Sequence, residues 1–290
     1  MAKFLSQLRS AGLLGPGLAL LVVFFIVPML FLFRISFLKY NAVSLYSDLT
    51  TLENYRKFFS DPYFIRMIWD SILVGGWTTV ISLIVGYPIA YYLARSRGLE
   101  RTILSCICLL PVFVSILVTT LGWYIMFLPY GAIQKLLVVC GLWEGRINWL
   151  QTFPNLVLVM VHLHVPFGIL ILASSIQNVS QEKIDAAKIL GASTFQILRR
   201  IYIPLTMPAI VSSAILVFAL AISSYLIPIL ITGQKLRLLP MAIFSYTTEL
   251  LNWPFSSAVA VLLLFLVSVV TYFITVLANR LTGRGKWEDV

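Results

Sequence analysis

Apolar residues gather in six long runs, at approximately residues 12–33, 68–93, 103–128, 153–176, 205–231 and 255–279, and the stretches between them hold nearly all of the charge. A membrane span needs about 20 mostly apolar residues, and every run reaches that length. The pattern predicts an all-α polytopic membrane protein with six transmembrane helices. Residues 1–290 form one transmembrane domain on this reading. The first run follows Lys3 and Arg9. It is longer than the apolar core of a signal peptide and shows no clear small-residue cleavage site, so it reads as a span that stays.

Composition agrees with the pattern. The chain is 60% hydrophobic and 11% charged, whereas a soluble domain is about half apolar and about a quarter charged. An even number of spans places both termini on one side. With the N-terminus inside, the inner segments hold Lys3, Arg9, Arg95, Arg97, Arg101, Lys183, Lys188, Arg199, Arg200, Arg280, Arg284 and Lys286, about 12 of the 21 Lys and Arg. The excess has the sign expected for cytoplasmic termini, although the long first outer loop is itself basic. The net charge of +10 therefore reads as attraction to anionic lipid. No soluble basic module is present to bind nucleic acid.

Little in the chain points to catalysis. Gly283-Arg284-Gly285-Lys286 lacks the spacing and the Ser/Thr of a phosphate-binding loop, so no ATP site is expected here. His162 and His164, two apart on a helix, diverge by about 200° and make no shared metal site. Cys106, Cys108 and Cys140 read as small apolar residues. Asp70 sits near the start of the second run and Glu249 lies just before the sixth, both close to an interface, and intramembrane ionisable groups are functional candidates. No buried titratable relay of the kind a proton-coupled pump uses is evident, though ion coupling through carbonyls stays open.

A solute path has other candidates. Pro228 in "SSYLIPILITG" follows Ser223, Ser224 and Tyr225, so a kink there would set polar groups at a helix break. Trp123, Tyr124 and Tyr225 offer aromatic faces, which attract cations. The outer stretch "TLENYRKFFSDPYFIRMIWD" interleaves aromatic and charged residues. It would rest at the membrane surface or meet an outer partner.

The most informative polar stretch is "IDAAKILGASTFQILRRIYIPLTMP", from Ile184 to Pro208. Ala186, Ala187 and Leu190 favour a helix. Gly191 suits a left-handed helix end, and Ser193 an N-cap for a second helix. On that second helix Phe195, Leu198, Ile201 and Tyr202 would share one face. The residues support two readings equally: an amphipathic loop lying on headgroups, or a short helix offered to a groove on a soluble partner.

The same stretch resembles the EAA loop of permease subunits of bacterial binding-protein-dependent ABC importers. Asp185, Ala186 and Ala187 match its start, with Asp in place of Glu; Gly191 matches its glycine; Ile201, Ile203 and Pro204 match its end. "TLENYRKFFSDPYFIRMIWDSI", "VGYPIAYYLARS" and "NWPFSSAVAVLLL" are similar to the spermidine/putrescine group of these permeases. The resemblance implies type I importer (MetI-like) architecture in the bacterial inner membrane. It implies a second permease, two ATP-binding subunits that hold ATP and Mg, and a periplasmic or lipid-tethered solute-binding protein. Residues 177–204 become the cytoplasmic coupling loop, with Asp185, Ala186, Ala187, Gly191, Phe195 and Pro204 facing the ATPase. The expected cargo is a polyamine, with opines, amino-acid derivatives, phosphonates or iron as alternatives.

Overall fold

Lipid offers no hydrogen-bond partner to a backbone N–H or C=O, so each apolar run must satisfy its own backbone, and it does so as helix. The computed structural model describes residues 16–17, 19–141, 150–233 and 235–282, the side chains of 281 and 282 excepted. Lys3, Arg9, Arg284, Lys286 and the start of the first predicted span lie outside the described residues. The order is α1 (Ala19–Ser36, with a π turn over Val22–Ile26), β1 (Leu38–Asn41), β2 (Leu45–Thr50), α2 (Glu53–Ser60) and α3 (Pro62–Arg95). Then follow α4 (Gly98–Phe113), α5 (Ile116–Met126), α6 (Ala132–Val139), α7 (Phe153–Gln177) and α8 (Gln181–Ile189). The chain continues through α9 (Thr194–Leu205, with a π turn over Leu198–Tyr202), α10 (Met207–Ile222), α11 (Leu226–Thr232), α12 (Leu239–Thr248) and α13 (Trp253–Thr282).

Among the described residues α1, α3, α7 and α13 are long and apolar enough to cross a membrane. Two bent pairs, α4–α5 at 93° and α9–α10 at 70°, bring the number to six when each counts as one span. The third and fifth apolar runs are therefore not single straight helices. Pro111, in the last turn of α4, leaves the Ile107 carbonyl without its helical N–H, and the chain leaves helical geometry at Val114 before α5 begins. Pro204 and Pro208 flank the 70° bend in the same way. The expected 205–231 run also stops at Ile222, and a new helix opens at Leu226. Pro228 falls in the first turn of that helix, where its missing N–H costs nothing, so it helps start α11 and does not kink a longer one.

The described residues fall into two compact units. The first draws on Met1–Ile65 and Ala242–Leu264. The β1–β2 hairpin was not announced by the hydropathy pattern; it pairs antiparallel with an irregularity between Leu38 and Lys39. Asn54 is buried and donates to the carbonyls of Ser36 and Leu38, each at 2.9 Å, tying α2 to the root of the hairpin. Phe58, Phe64 and Phe255 are buried together, with Tyr246 4.5 Å from Phe255 between ring centres. Two of the aromatics expected at the membrane surface, Phe58 and Phe64, thus form an internal core. Their spacing of six brings them together across the α2–α3 corner.

The second unit draws on Arg66–Met241 and Phe265–Val290. In it α3, α7 and α10 meet at glycines. A Cβ on Gly75 would stand 3.0 Å from the Phe218 ring, and one on Gly168 2.9 Å from Ser213 Oγ. Small residues let helices approach closely where no hydrophobic drive exists to pull them together. Two buried clusters result. One surrounds Leu156, Met160, Ile227 and Ile231; the other surrounds Leu172, Ile176, Ile184 and Tyr202.

Candidate functional site

The stretch between α7 and α10 folds as two short helices about a glycine. Lys188 and Ala187 accept from the N–H groups of Gly191 (2.9 Å) and Ala192 (3.0 Å). This closes α8 with the two-bond pattern of a Schellman turn. Gly191 takes φ +80°, a left-handed conformation that costs glycine nothing. Ser193 then caps α9: its Oγ accepts from Gln196 N at 3.3 Å while Gln196 Oε1 accepts from Ser193 N at 2.8 Å. The helix ends on both sides of the turn are thus largely satisfied by local hydrogen bonds, which makes the loop a shaped element.

One side of the element is fastened to the helix bundle. Ile184, Ile197 and Tyr202 are buried against Ala90, Leu93, Leu172 and Ile176 of α3 and α7. Arg95, the last residue of α3, bridges both loop helices: Nη1 donates to Gln181 Oε1 at 2.6 Å, and its guanidinium lies 5.1 Å from the Tyr202 ring centre. Tyr91 packs edge-on against the same ring at 5.1 Å. Thr206 accepts or donates a 2.9 Å hydrogen bond with Tyr87 and donates to Tyr202 O at 2.8 Å.

The other side is bare. Ile189 and Leu190 are each 87% exposed and Phe195 is 68% exposed. Ala186 and Pro204 are exposed as well, and Ala187 is half-buried. Asp185 is exposed, accepts from Gln181 Nε2 at 2.9 Å, and lies 3.8 Å from Lys188 Nζ. Phe195 therefore does not share the packed face of α9, contrary to the expected i, i+3, i+6, i+7 stripe. The π turn over Leu198–Tyr202 inserts about one residue into the helix phase, which turns Ile197 inward and Phe195 outward. Sequence reasoning did not name Ile189, and it read Leu190 only as a helix former, Arg95 only as an inner charge and Tyr202 only as one of an apolar stripe. Two adjacent aliphatics just before the glycine of a polar stretch were the available signal for the first pair.

The residues expected along a solute path separate into groups. Trp123, Tyr124 and Tyr225 all pack on the cluster around Leu156 and Met160. Trp123 stacks on Phe127 at 5.5 Å and meets the His162 ring edge-on at 5.4 Å. Ser224 and Tyr225 stand in the gap between α10 and α11, half-buried, and Pro228 is buried beside them. Asp70 is half-buried on α3, next to Ser71, whose Oγ accepts from Leu239 N at 3.0 Å. Glu249 belongs to the first unit, where it is exposed and accepts from Ser245 Oγ at 2.6 Å. His164 is buried with Nδ1 2.7 Å from the Met160 carbonyl, so it is held within its own helix.

Comparison with known proteins adds four findings. Residues 79–283 match the family described as binding-protein-dependent transport system inner membrane component. The chain is 31% identical over 264 residues to the spermidine/putrescine transport system permease protein PotB of Haemophilus influenzae, which covers 91% of this chain and 92% of that protein. A chain of a bacterial ABC transporter involved in the import of the acidic polysaccharide alginate shares the fold, with a TM-score of 0.75 over 96% of this chain and 99% of that one, at 18% identity. The alginate transporter in complex with a pentasaccharide-bound periplasmic protein gives 0.76 over 97% of each chain, at 17% identity.

Proposed function

The chain belongs to the family of inner membrane components of binding-protein-dependent transport systems, as a non-catalytic permease subunit of an ABC importer, and on that premise we propose that its cargo is a polyamine. Support for the cargo comes from the likeness to a spermidine/putrescine permease along nearly the whole chain. Trp123, Tyr124 and Tyr225, gathered on one cluster, suit a polycation, because aromatic faces attract ammonium groups. The gap between α10 and α11, with Ser224, Tyr225 and Pro228, is the stretch we assign to the path, with Asp70 as the acid of the same unit.

The Gly191 turn is the proposed seat of the ATPase, and the observation that carries this is its two-sidedness. Ile189, Leu190 and Phe195 stand bare at its tip while Ile184, Ile197 and Tyr202 are locked into the bundle. Aliphatic side chains so exposed, on a backbone so fully bonded, are shaped to enter a groove on a soluble protein. Asp185, Ala186, Ala187 and Pro204 would flank that contact. A push on the tip is passed through Arg95 and Tyr202 to the ends of α3 and α7 as a rigid movement, since a packed core transmits displacement.

In this reading the loop and both termini face the cytoplasm. ATP and Mg are bound by two copies of a separate subunit. A second permease completes the membrane pore, and a periplasmic or lipid-tethered binding protein delivers the cargo from the other side. The test is ATPase activity of the co-expressed complex in nanodiscs with its binding protein, across polyamines, opines and amino acids. Stimulation by polyamines alone is expected. Stimulation by another class overturns the cargo, and absence of any ATPase association overturns the seat assigned to the Gly191 turn.

A further inference from the structure

A second polar feature lies beside the loop and shares Arg95 and Gln181 with its fastening to α3. Where α3 ends, α4 begins, α7 ends and α8 begins, the chain encloses a cleft of about 440 Å³. Among the described residues Arg95, Arg97 and Arg101 line it, together with Gln177, Ser180 and Gln181, and no carboxylate does. Among the described residues Arg95 and Arg101 hydrogen-bond there to neutral amide oxygens, at Gln181 (2.6 Å) and Gln177 (3.0 Å), and no carboxylate pairs with either. Arg97 has no hydrogen-bond, ion-pair or ring partner among the described residues. Glu100, the nearest acid in sequence, accepts from the Tyr92 hydroxyl at 2.6 Å and does not line the cleft. Three like charges around one cleft repel each other, and an anion between them removes that cost.

We propose that this cleft binds a phosphate group, and that in the membrane the phosphate is the headgroup of an anionic phospholipid. Position selects that source. Arg95, Gly98 and Gln177 are ends of apolar helices, and such ends mark the membrane–water boundary where headgroup phosphates lie. Guanidinium groups match phosphate geometry with paired donors, and basic pockets between spans at this depth suit anionic headgroups. The bound headgroup sits against Arg95 and Gln181, the same pair that fastens the loop to α3.

The test uses the assembled transporter, stripped of lipid in detergent and titrated with phosphatidylglycerol, phosphatidylcholine or inorganic phosphate. Retained lipid is read by native mass spectrometry and melting temperature is followed alongside. Phosphatidylglycerol is expected to be retained and to raise the melting temperature, with phosphatidylcholine doing neither. Each basic charge near a headgroup contributes roughly a fivefold factor in affinity. Arg97→Gln should therefore weaken retention about fivefold and Arg97→Glu about 30-fold, and neither disturbs a contact within the fold. Arg200→Glu, an exposed residue outside the cleft, should leave retention unchanged. Equal retention of both lipids, an unaffected Arg97→Glu variant, or equal losses from Arg97→Glu and Arg200→Glu would overturn the proposal. Protection by inorganic phosphate without selective lipid retention would keep the phosphate chemistry and overturn the lipid as its source.

Discussion

The chain is interrupted at Gly191 and again at Ser223–Tyr225, and the two interruptions are built in opposite ways. At Gly191 the backbone is closed by a Schellman turn and a capping box, while Ile189, Leu190 and Phe195 are left outside. At Ser223–Tyr225 the apolar side chains that follow the break turn inward. Ile227, Pro228, Ile231 and Thr232 are buried, Tyr225 packs on the bundle, and Ser223 Oγ bonds back to Ala219 O. Either break ends a helix. The first leaves apolar surface for another molecule to cover, and the second covers its own. A gap in a helix is thus read by where its side chains go, more than by its glycine or proline.

Six variants bear on that contrast, from the largest effect to the smallest. Gly191→Pro should abolish transport, because proline holds φ near −65° where the turn requires +80°, and it also removes the N–H that bonds Lys188 O. Membrane insertion of the variant, checked by fractionation, should survive; loss of insertion would make the glycine a folding requirement only. Tyr202→Ala should destabilise the chain by roughly 3 kcal/mol, as removal of a fully buried ring does. Tyr202→Phe should stay within about 1 kcal/mol of wild type, since the hydroxyl has no hydrogen-bond partner among the described residues. Thermal denaturation in detergent separates the two, and equal losses would show that the hydroxyl, not the ring, anchors the loop.

Replacing both Ile189 and Leu190 by Ser should leave stability unaltered and weaken ATPase co-purification about 100-fold. Burying two such side chains is worth roughly 3 kcal/mol in total at a conservative value. Undiminished association would remove the tip from the interface. Asp185→Lys tests the polar flank: the exposed pair with Lys188 contributes about 0.5 kcal/mol at most to stability, so any larger loss of co-purification reports contact with the ATPase. The smallest effect belongs to the inward break. Pro228→Ala should change melting by no more than about 1 kcal/mol, because a first-turn proline replaces no hydrogen bond. A large loss there would restore the kink that hydropathy suggested.

Much of this molecule could be read along the chain. Apolar length alone placed the helices that span, because transfer into lipid is close to additive over residues and needs no knowledge of neighbours. The Gly191–Ser193 pair was also readable, since a left-handed helix end and an N-cap depend on residues only a few positions apart. The β1–β2 hairpin was not. Its turn is made by Asn41 Oδ1 accepting from Val43 N and by Leu45 at φ +69°, an unusual conformation for leucine that residue preference does not anticipate.

Other features depend on contacts far apart in sequence. The outward turn of Phe195 follows from a π turn that keeps Tyr202 under Arg95, a partner more than a hundred residues away. The basic cleft joins Arg95, Arg97 and Arg101 to Gln177 and Gln181 across some eighty positions, and no local pattern announces it. Hydropathy, caps and turns act over one or two helical turns, so they are written in the order of the residues. Helix phase, side-chain exposure and the meeting of distant charges belong to packing, where each position is settled by what the rest of the chain brings against it.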